Sequence, residues 1–355
     1  MEGDHRKFLE SLLATATPSG FETSGQRRWL EYLEPYADET RVDDYGNAVA
    51  VHEGHDDGPS IALTGHGDEI GLMVRDVDDD GFLKLTRIGG SDRSVTRGQG
   101  VTVHTDDGPV EGVVGQTAIH LRDRGENGSY ADISEQYVDV GADSGDAARE
   151  LVDVGDPITL DADRRELSGD RLAARGMDNR VGTWAAAEGF RRTVADDPAA
   201  TVYAVSTVQE EIGLKGAAMV GFDLHPDAVV AADVTHATDH PDVPGGKRNG
   251  VELGGGPVVA RGSANHPRLV EAARTVAAEA DLPVQLQAAG SSTGTDADAF
   301  YTARGGIPSL NVGLPNRYMH TPVEVVDLAD LDAAADLLAG IAADADGFAP
   351  FAVDL

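Results

Sequence analysis

Two adjacent carboxylates, Glu210 and Glu211, follow an apolar run of strand length from Val202 to Val208, and Asp233 follows a second such run from Ala228 to Ala232. Two histidines, His66 and His320, lie just past other apolar runs, and Asp178 stands before an Ala-rich helical stretch. Open α/β sheets gather their ligands at the carboxyl ends of strands, and like charges brought together there are costly unless something positive lies between them. Two histidines and three carboxylates, one of them bridging, suit a pair of zinc, cobalt or manganese ions about 3.5–4 Å apart. Glu210 is then left over beside Glu211. Because the chain turns at Glu210-Glu211-Ile212-Gly213, the two side chains need not alternate as they would in a strand. Glu211 can ligate while Glu210 acts as general base toward a water. Asp68, two residues after His66, is placed to accept the other imidazole N–H and fix the tautomer.

Each of these residues alone has an ordinary explanation. In a chain with 62 acids and 11 histidines, a Glu-Glu pair can be a solvated face and a lone histidine a surface residue. Asp178 can be a helix N-cap, Asp233 a turn residue, and Gly294-Thr295-Asp296 a turn before a helix. Their common placement at element ends, among strands that are otherwise apolar, points to one centre.

The elements that position these groups follow from composition and pattern. At 355 residues and 41% hydrophobic, the chain can bury a large core, and its length favours two domains. No apolar run reaches the 18 or more residues of a membrane span, and Met1-Glu-Gly-Asp-His-Arg-Lys lacks a secretory apolar segment, so a cytoplasmic protein with no membrane partner is expected. Without cysteine, any metal must use His and carboxylates. Sixty-two acids against 28 bases give a net charge of −34, which disfavours nucleic acid as a partner. The acids are spread rather than blocked, and lysine occurs only at Lys7, Lys84, Lys215 and Lys247. That pattern is expected of a halophilic chain, whose self-repulsion high salt must screen. Dialysis into low salt should destabilise it, and unchanged stability there would contradict the expectation.

Helical spacing of apolar groups occurs at 4–16 and 22–36, and 41–52 reads as a hairpin turning at Tyr45-Gly46-Asn47. Ser60 to Thr64 is a short buried strand ending at Gly65-His66-Gly67-Asp68-Glu69. From Gly71 to Leu167, short apolar runs alternate with Gly/Asp turns, as in a compact β domain, with a mobile surface loop expected at 121–136. Helices follow at Thr183–Arg192, 267–280, near 297–304 and 327–344, with strands at Val202–Val208, Ala228–Ala232, Val284–Ala288 and Ser309–Val312. The fold class is α/β, a mixed sheet flanked by helices with a small β-barrel-like insertion. The expected domains are 1–70 plus 168–355, and 71–167.

The segments Gly65-His66-Gly67-Asp68-Glu69-Ile70-Gly71, Met177-Asp178-Asn179-Arg180, Glu210-Glu211-Ile212-Gly213, Asp233-Val234-Thr235-His236, Gly294-Thr295-Asp296-Ala297 and Arg317 to Glu324 occur in this order over nearly the whole chain. Together they resemble the motif set of the tetrahedral (TET) metalloaminopeptidases of clan MH, whose core is a phosphorylase/aminopeptidase-like sheet. The resemblance implies His66 and Asp233 on one ion, Glu211 and His320 on the other, and Asp178 bridging, with zinc or cobalt favoured and manganese possible. It implies Glu210 as general base, Asp68 as a supporting residue, and a substrate pocket drawing on Gly294, Thr295 and Asp296. The 71–167 insertion resembles the family's dimerisation domain, and the family builds hollow dodecamers that admit short peptides. Two departures concern the pocket: Gly255 stands where relatives often carry Lys, and Thr321 where Ser is common. The activity expected is hydrolysis of the N-terminal peptide bond. A related di-zinc carboxypeptidase or deacylase, a glycosidase using Glu210 and Glu211, and a non-catalytic shell protein are the alternatives. Chelation separates the glycosidase, and N-acylated substrates separate the deacylase.

Overall fold

The computed structural model describes residues 1–55, 57–122 and 130–353. An eight-stranded mixed sheet forms the centre. In spatial order its strands are Glu39–Val42, Ala48–His52, Thr201–Thr207, Ser60–His66, Ala228–His236, Ser309–Asn316, Val258–Gly262 and Gln285–Ala289. The four from Thr201–Thr207 to Ser309–Asn316 run parallel, with antiparallel neighbours on both flanks. These four read as nearly continuous apolar runs because both of their faces are covered.

The alternation of side chains divides the core in two. Ile61, Leu63, Val202, Ala204, Val230 and Ala232 pack with the helices Asp4–Leu13, Thr23–Leu33, Met177–Val194, Pro267–Glu279 and Leu328–Ala343. Ala62, Val205 and Val229, pointing the other way, pack with the helices Lys215–Asp223 and Asp296–Phe300. Among the described residues no helix is long and apolar enough to cross a membrane.

Between Ser60–His66 and Met177–Val194 the chain forms a closed six-stranded antiparallel barrel. Its order is Gly71–Val77, Leu83–Ile88, Tyr137–Asp139, Gly108–Val114, Gly100–Thr105 and Pro157–Leu160. Its interior is a separate cluster that includes Leu72, Val74, Leu85, Val103, Val138 and Ile158. Closure removes every free strand edge. The α/β class with a barrel insertion is therefore the observed architecture. Strand Arg165–Leu167 pairs with Arg171–Ala174, which pairs with Glu324–Asp327, so this small sheet spans the boundary drawn at 167.

Several element limits differ from those the apolar pattern predicts. The strand taken to stop at Ala232 runs on to His236, and the one taken to stop at Val312 runs on to Asn316. A charged or polar residue ends an apolar run but not a hydrogen-bonded ladder. The helix near 297–304 is the shorter Asp296–Phe300. The loop expected at 121–136 falls in part on 123–129, outside the described residues, and among the described ones single 3₁₀ turns occur at Ile119–Leu121 and Ile133–Glu135.

Candidate active site

Parallel register brings the centre together. Thr207 pairs with His66, and Ala231 pairs with Thr64, so Asp233 lies level with His66 on the neighbouring strand. Asp233 therefore sits inside its strand rather than past its end. Glu210 and Glu211 follow in the turn after Thr207. The helix Met177–Val194 crosses this strand end closely: a Cβ on Gly65 would lie 2.6 Å from the Gly182 carbonyl carbon, and one on Gly182 would lie 2.3 Å from the Ala232 oxygen. Two glycines thus let helix and sheet touch, which carries Asp178 to the two strands. Asp178 and Asn179 have non-helical backbone angles, so the regular helix begins after them. His320 arrives from the loop that follows Ser309–Asn316.

Asp178 Oδ1 lies 3.2 Å from His66 Nε2, and its Oδ2 lies 3.2 Å from His320 Nε2. Asp233 Oδ1 is 3.6 Å and Glu210 Oε2 3.8 Å from His66 Nε2, while Glu211 Oε1 is 3.7 Å from His320 Nε2. Three sets of donor atoms, each within 4.8 Å of one another, result: His66, Asp178 and Asp233; Asp178, Glu211 and His320; His66, Glu210 and Glu211. Both histidines turn Nδ1 toward a backbone carbonyl, His66 to Asp68 at 3.2 Å and His320 to Gly90 at 3.2 Å. A carbonyl only accepts, so each Nδ1 carries a proton, and each Nε2 is left to face the centre, as a lone pair toward an ion or, in the ion-free chain, as an N–H toward Asp178. Gly90 belongs to the barrel segment, which thus orients one histidine of the site.

Asp68 is buried and accepts hydrogen bonds from the Glu210 N–H at 3.0 Å, the Glu211 N–H at 3.1 Å and Ser19 Oγ at 2.6 Å, and it lies 3.3 Å from His66 Nδ1. One carboxylate thus fixes the histidine and the acidic turn together. Glu324, a residue to which the sequence assigned no role, accepts the Asp178 N–H at 2.9 Å and the His320 N–H at 2.8 Å. Glu69 pairs with Arg175 and with buried Arg180, tying the His66 motif to the Asp178 motif. Burial opposes the charge on Glu69, yet the two guanidiniums hold its carboxyl down at about 2.

The electrostatics are those of a site short of positive charge. Burial pushes Glu210 up to about 9 and Glu211 well above the carboxylate range; Asp233 and Asp178 respectively add to this against the pull of His66. Burial likewise raises Asp233 and lifts Asp296 to about 7. Burial would lower His66, but Glu210 and Asp233 raise it well above its ordinary value. Asp178 moves down: burial opposes this, but hydrogen bonds from His320 and His66 prevail, and Asp68 moves the same way against its burial through His66. The Glu211 Oε1 is buried with no hydrogen-bond partner. Nitrogen and carboxylate donors with an orphaned oxygen are the donor set of a borderline divalent metal, so the residues fit such ions.

The centre opens into a cleft with about 400 Å³ of room. Of the three residues expected on the substrate side, Gly294 and Thr295 line it. Asp296 is buried behind, where its carboxylate accepts from Thr207 Oγ1. Signals for Glu324 and Gly90 were weak: an acid among 62 and a glycine among 43 carry no mark of a contact made across the fold.

Residues 46–337 match the model of the M42 glutamyl aminopeptidase family. The lysyl aminopeptidase of Pyrococcus furiosus is 34% identical over 333 residues, covering 92% of this chain and 93% of that protein. A TET aminopeptidase structure from a marine-sediment Thaumarchaeota archaeon superposes with a TM-score of 0.91 at 31% identity, covering 97% of this chain and 98% of that one. The TET1 peptidase of Pyrococcus horikoshii, which can assemble into a tetrahedron or a large octahedral shell, superposes at 0.84 with 27% identity, covering 96% and 99%. The chain accordingly belongs to the M42 glutamyl aminopeptidase family and is a metalloaminopeptidase, an enzyme that removes residues from peptide N-termini.

Proposed function

We propose that the chain hydrolyses the first peptide bond of short peptides with Glu210 as general acid–base, at a centre of two divalent ions. The observation that carries this reading is the two-sided placement of Asp178, 3.2 Å from each of two histidines that turn Nε2 toward it. His66, Asp233 and Asp178 would hold one ion, and Glu211, His320 and Asp178 the other. Zinc or cobalt suits these donors, with manganese a third option. When bound, such ions polarise the scissile carbonyl and make water acidic enough to attack at neutral pH. Glu210 takes the proton of the attacking water and returns it to the leaving amine. Asp68 keeps Glu210 within reach by holding its backbone N–H. The acidic surroundings favour a substrate's free α-ammonium group.

The barrel of residues 71–167 would form the dimer contact, and six dimers a closed dodecamer admitting only unfolded chains. The relatives' shells support this reading. The net charge of −34 supports work in a salt-rich cytoplasm. The test is paired substrates in high salt: leucyl p-nitroanilide should be cleaved and its N-acetylated form left intact. Preferential cleavage of N-acylated amino acids or of C-terminal residues would move the assignment to a deacylase or carboxypeptidase.

A further inference from the structure

Resting on the aminopeptidase reading above, we propose that the cleft selects an uncharged N-terminal side chain and rejects an acidic one. Beyond the metal-type centre its walls are formed by Ala260, Thr235, Gln287, Thr293, Asn311 and Met319, among other small or neutral residues. Among the described residues that line the cleft there is no lysine or arginine, and the only acids are the four of the centre itself. A glutamyl side chain entering here would surrender its water with only the imidazole of His236, outside the centre, to meet it, in a chain of net charge −34. A lysyl side chain would likewise find no carboxylate outside the centre, although the overall field attracts it.

The polar groups present are built for neutral partners. Asn311, 6% exposed, lines the cleft with a neutral amide whose Oδ1 is itself buried. Its backbone is fixed, the N–H donating to Asn265 Oδ1 at 2.7 Å. Thr235 Oγ1 donates to Gln287 Oε1 at 3.0 Å, which orients the Gln287 amide. That contact depends on Gly313, where a Cβ would lie 2.8 Å from Thr235 Cγ2. An aliphatic or primary-amide side chain meets such walls at little cost. An isosteric carboxylate does not, because it gives up its water where, among the described residues, no lysine or arginine lines the cleft and the chain's net charge of −34 opposes it.

The sharpest probe is the pair glutaminyl and glutamyl p-nitroanilide, which differ in little but charge. With leucyl and lysyl substrates beside them in one high-salt buffer, kcat/KM should fall in the order neutral, lysyl, glutamyl. The glutaminyl-to-glutamyl ratio should be on the order of 100-fold. Gln287→Arg, on a half-exposed edge strand, supplies the missing cation and should narrow that ratio about tenfold while slowing leucyl cleavage. Glutamyl cleavage equal to or faster than glutaminyl in the unaltered chain overturns the inference and leaves the aminopeptidase reading standing. Failure to cleave any of the four overturns that reading instead. The pocket is then read by thermal shift with free L-glutamine and L-glutamate: greater stabilisation by glutamine supports the inference, and greater stabilisation by glutamate contradicts it.

Discussion

Replacing Glu210 by glutamine is expected to lower kcat by about 10³-fold or more, with ion content and melting temperature of the ion-loaded enzyme unchanged. Glutamine keeps the shape and leaves the backbone bond to Asp68 in place, since that bond is made by the Glu210 N–H. What it removes is the ability to take a proton from water and hand it on. Glu211, the next residue, is the control. Its Oε1 faces His320 Nε2 at 3.7 Å, so Glu211→Gln should lose ion affinity as well as turnover. The two neighbours are thus separated by whether the ions stay. Glu210→Gln retaining a tenth or more of its kcat would remove Glu210 from the mechanism.

The ion-free chain should lose stability as pH rises, and ions should abolish most of that loss. Glu210 stands at about 9, Glu324 at about 8 and Asp296 at about 7 in the fold, against 4.5, 4.5 and 3.8 for the free groups. Between those limits the folded chain binds protons that the unfolded chain has released, so stability falls with increasing pH. The raised His66 and His320 act in the same direction: their contribution is complete below 6.5 and declines as pH climbs through their folded values. Asp178 and Glu69, held low, contribute fully above the ordinary carboxylate range and do not change within the window. Because these groups share one field, their effects overlap, and a net loss on the order of 4 kcal/mol between pH 6 and pH 9 is expected. For a chain of this size that is about 5 °C in melting temperature. Scanning calorimetry of chelated and zinc-loaded protein at both pH values, in the same high salt, reads it directly. An ion-free melting temperature that is equal or higher at pH 9 would contradict the electrostatics described. The Glu210→Gln variant should show a shallower decline than the parent chain, since one of the buried acids is gone.

The parts legible from sequence were those that local pattern determines. Continuous apolar runs marked the parallel strands because both faces of that sheet are buried, and the change to short alternating runs after Gly71 marked the barrel. The centre was legible because its acids and histidines interrupt or follow apolar segments, where little else is charged. The pattern read less well wherever the deciding contact is distant. Asp233 looked like a strand terminus, yet the ladder continues through it to His236. The approach of Gly65 to Gly182, the Gly90 carbonyl on His320, and Glu324 beneath both Asp178 and His320 join segments remote in sequence. The sequence places Asp68 only as a support for His66. Its three further bonds, to Ser19 and to the amides of Glu210 and Glu211, arise only once the sheet register places the two turns side by side.

The central claim is a two-ion aminopeptidase centre, and the most direct measurement is a zinc or cobalt titration of the chelated chain while leucyl p-nitroanilide hydrolysis is followed in high salt. Activity should be absent without ions and rise to a break at two ions per chain. Full activity in the chelated chain, or a plateau reached with one ion, would contradict it.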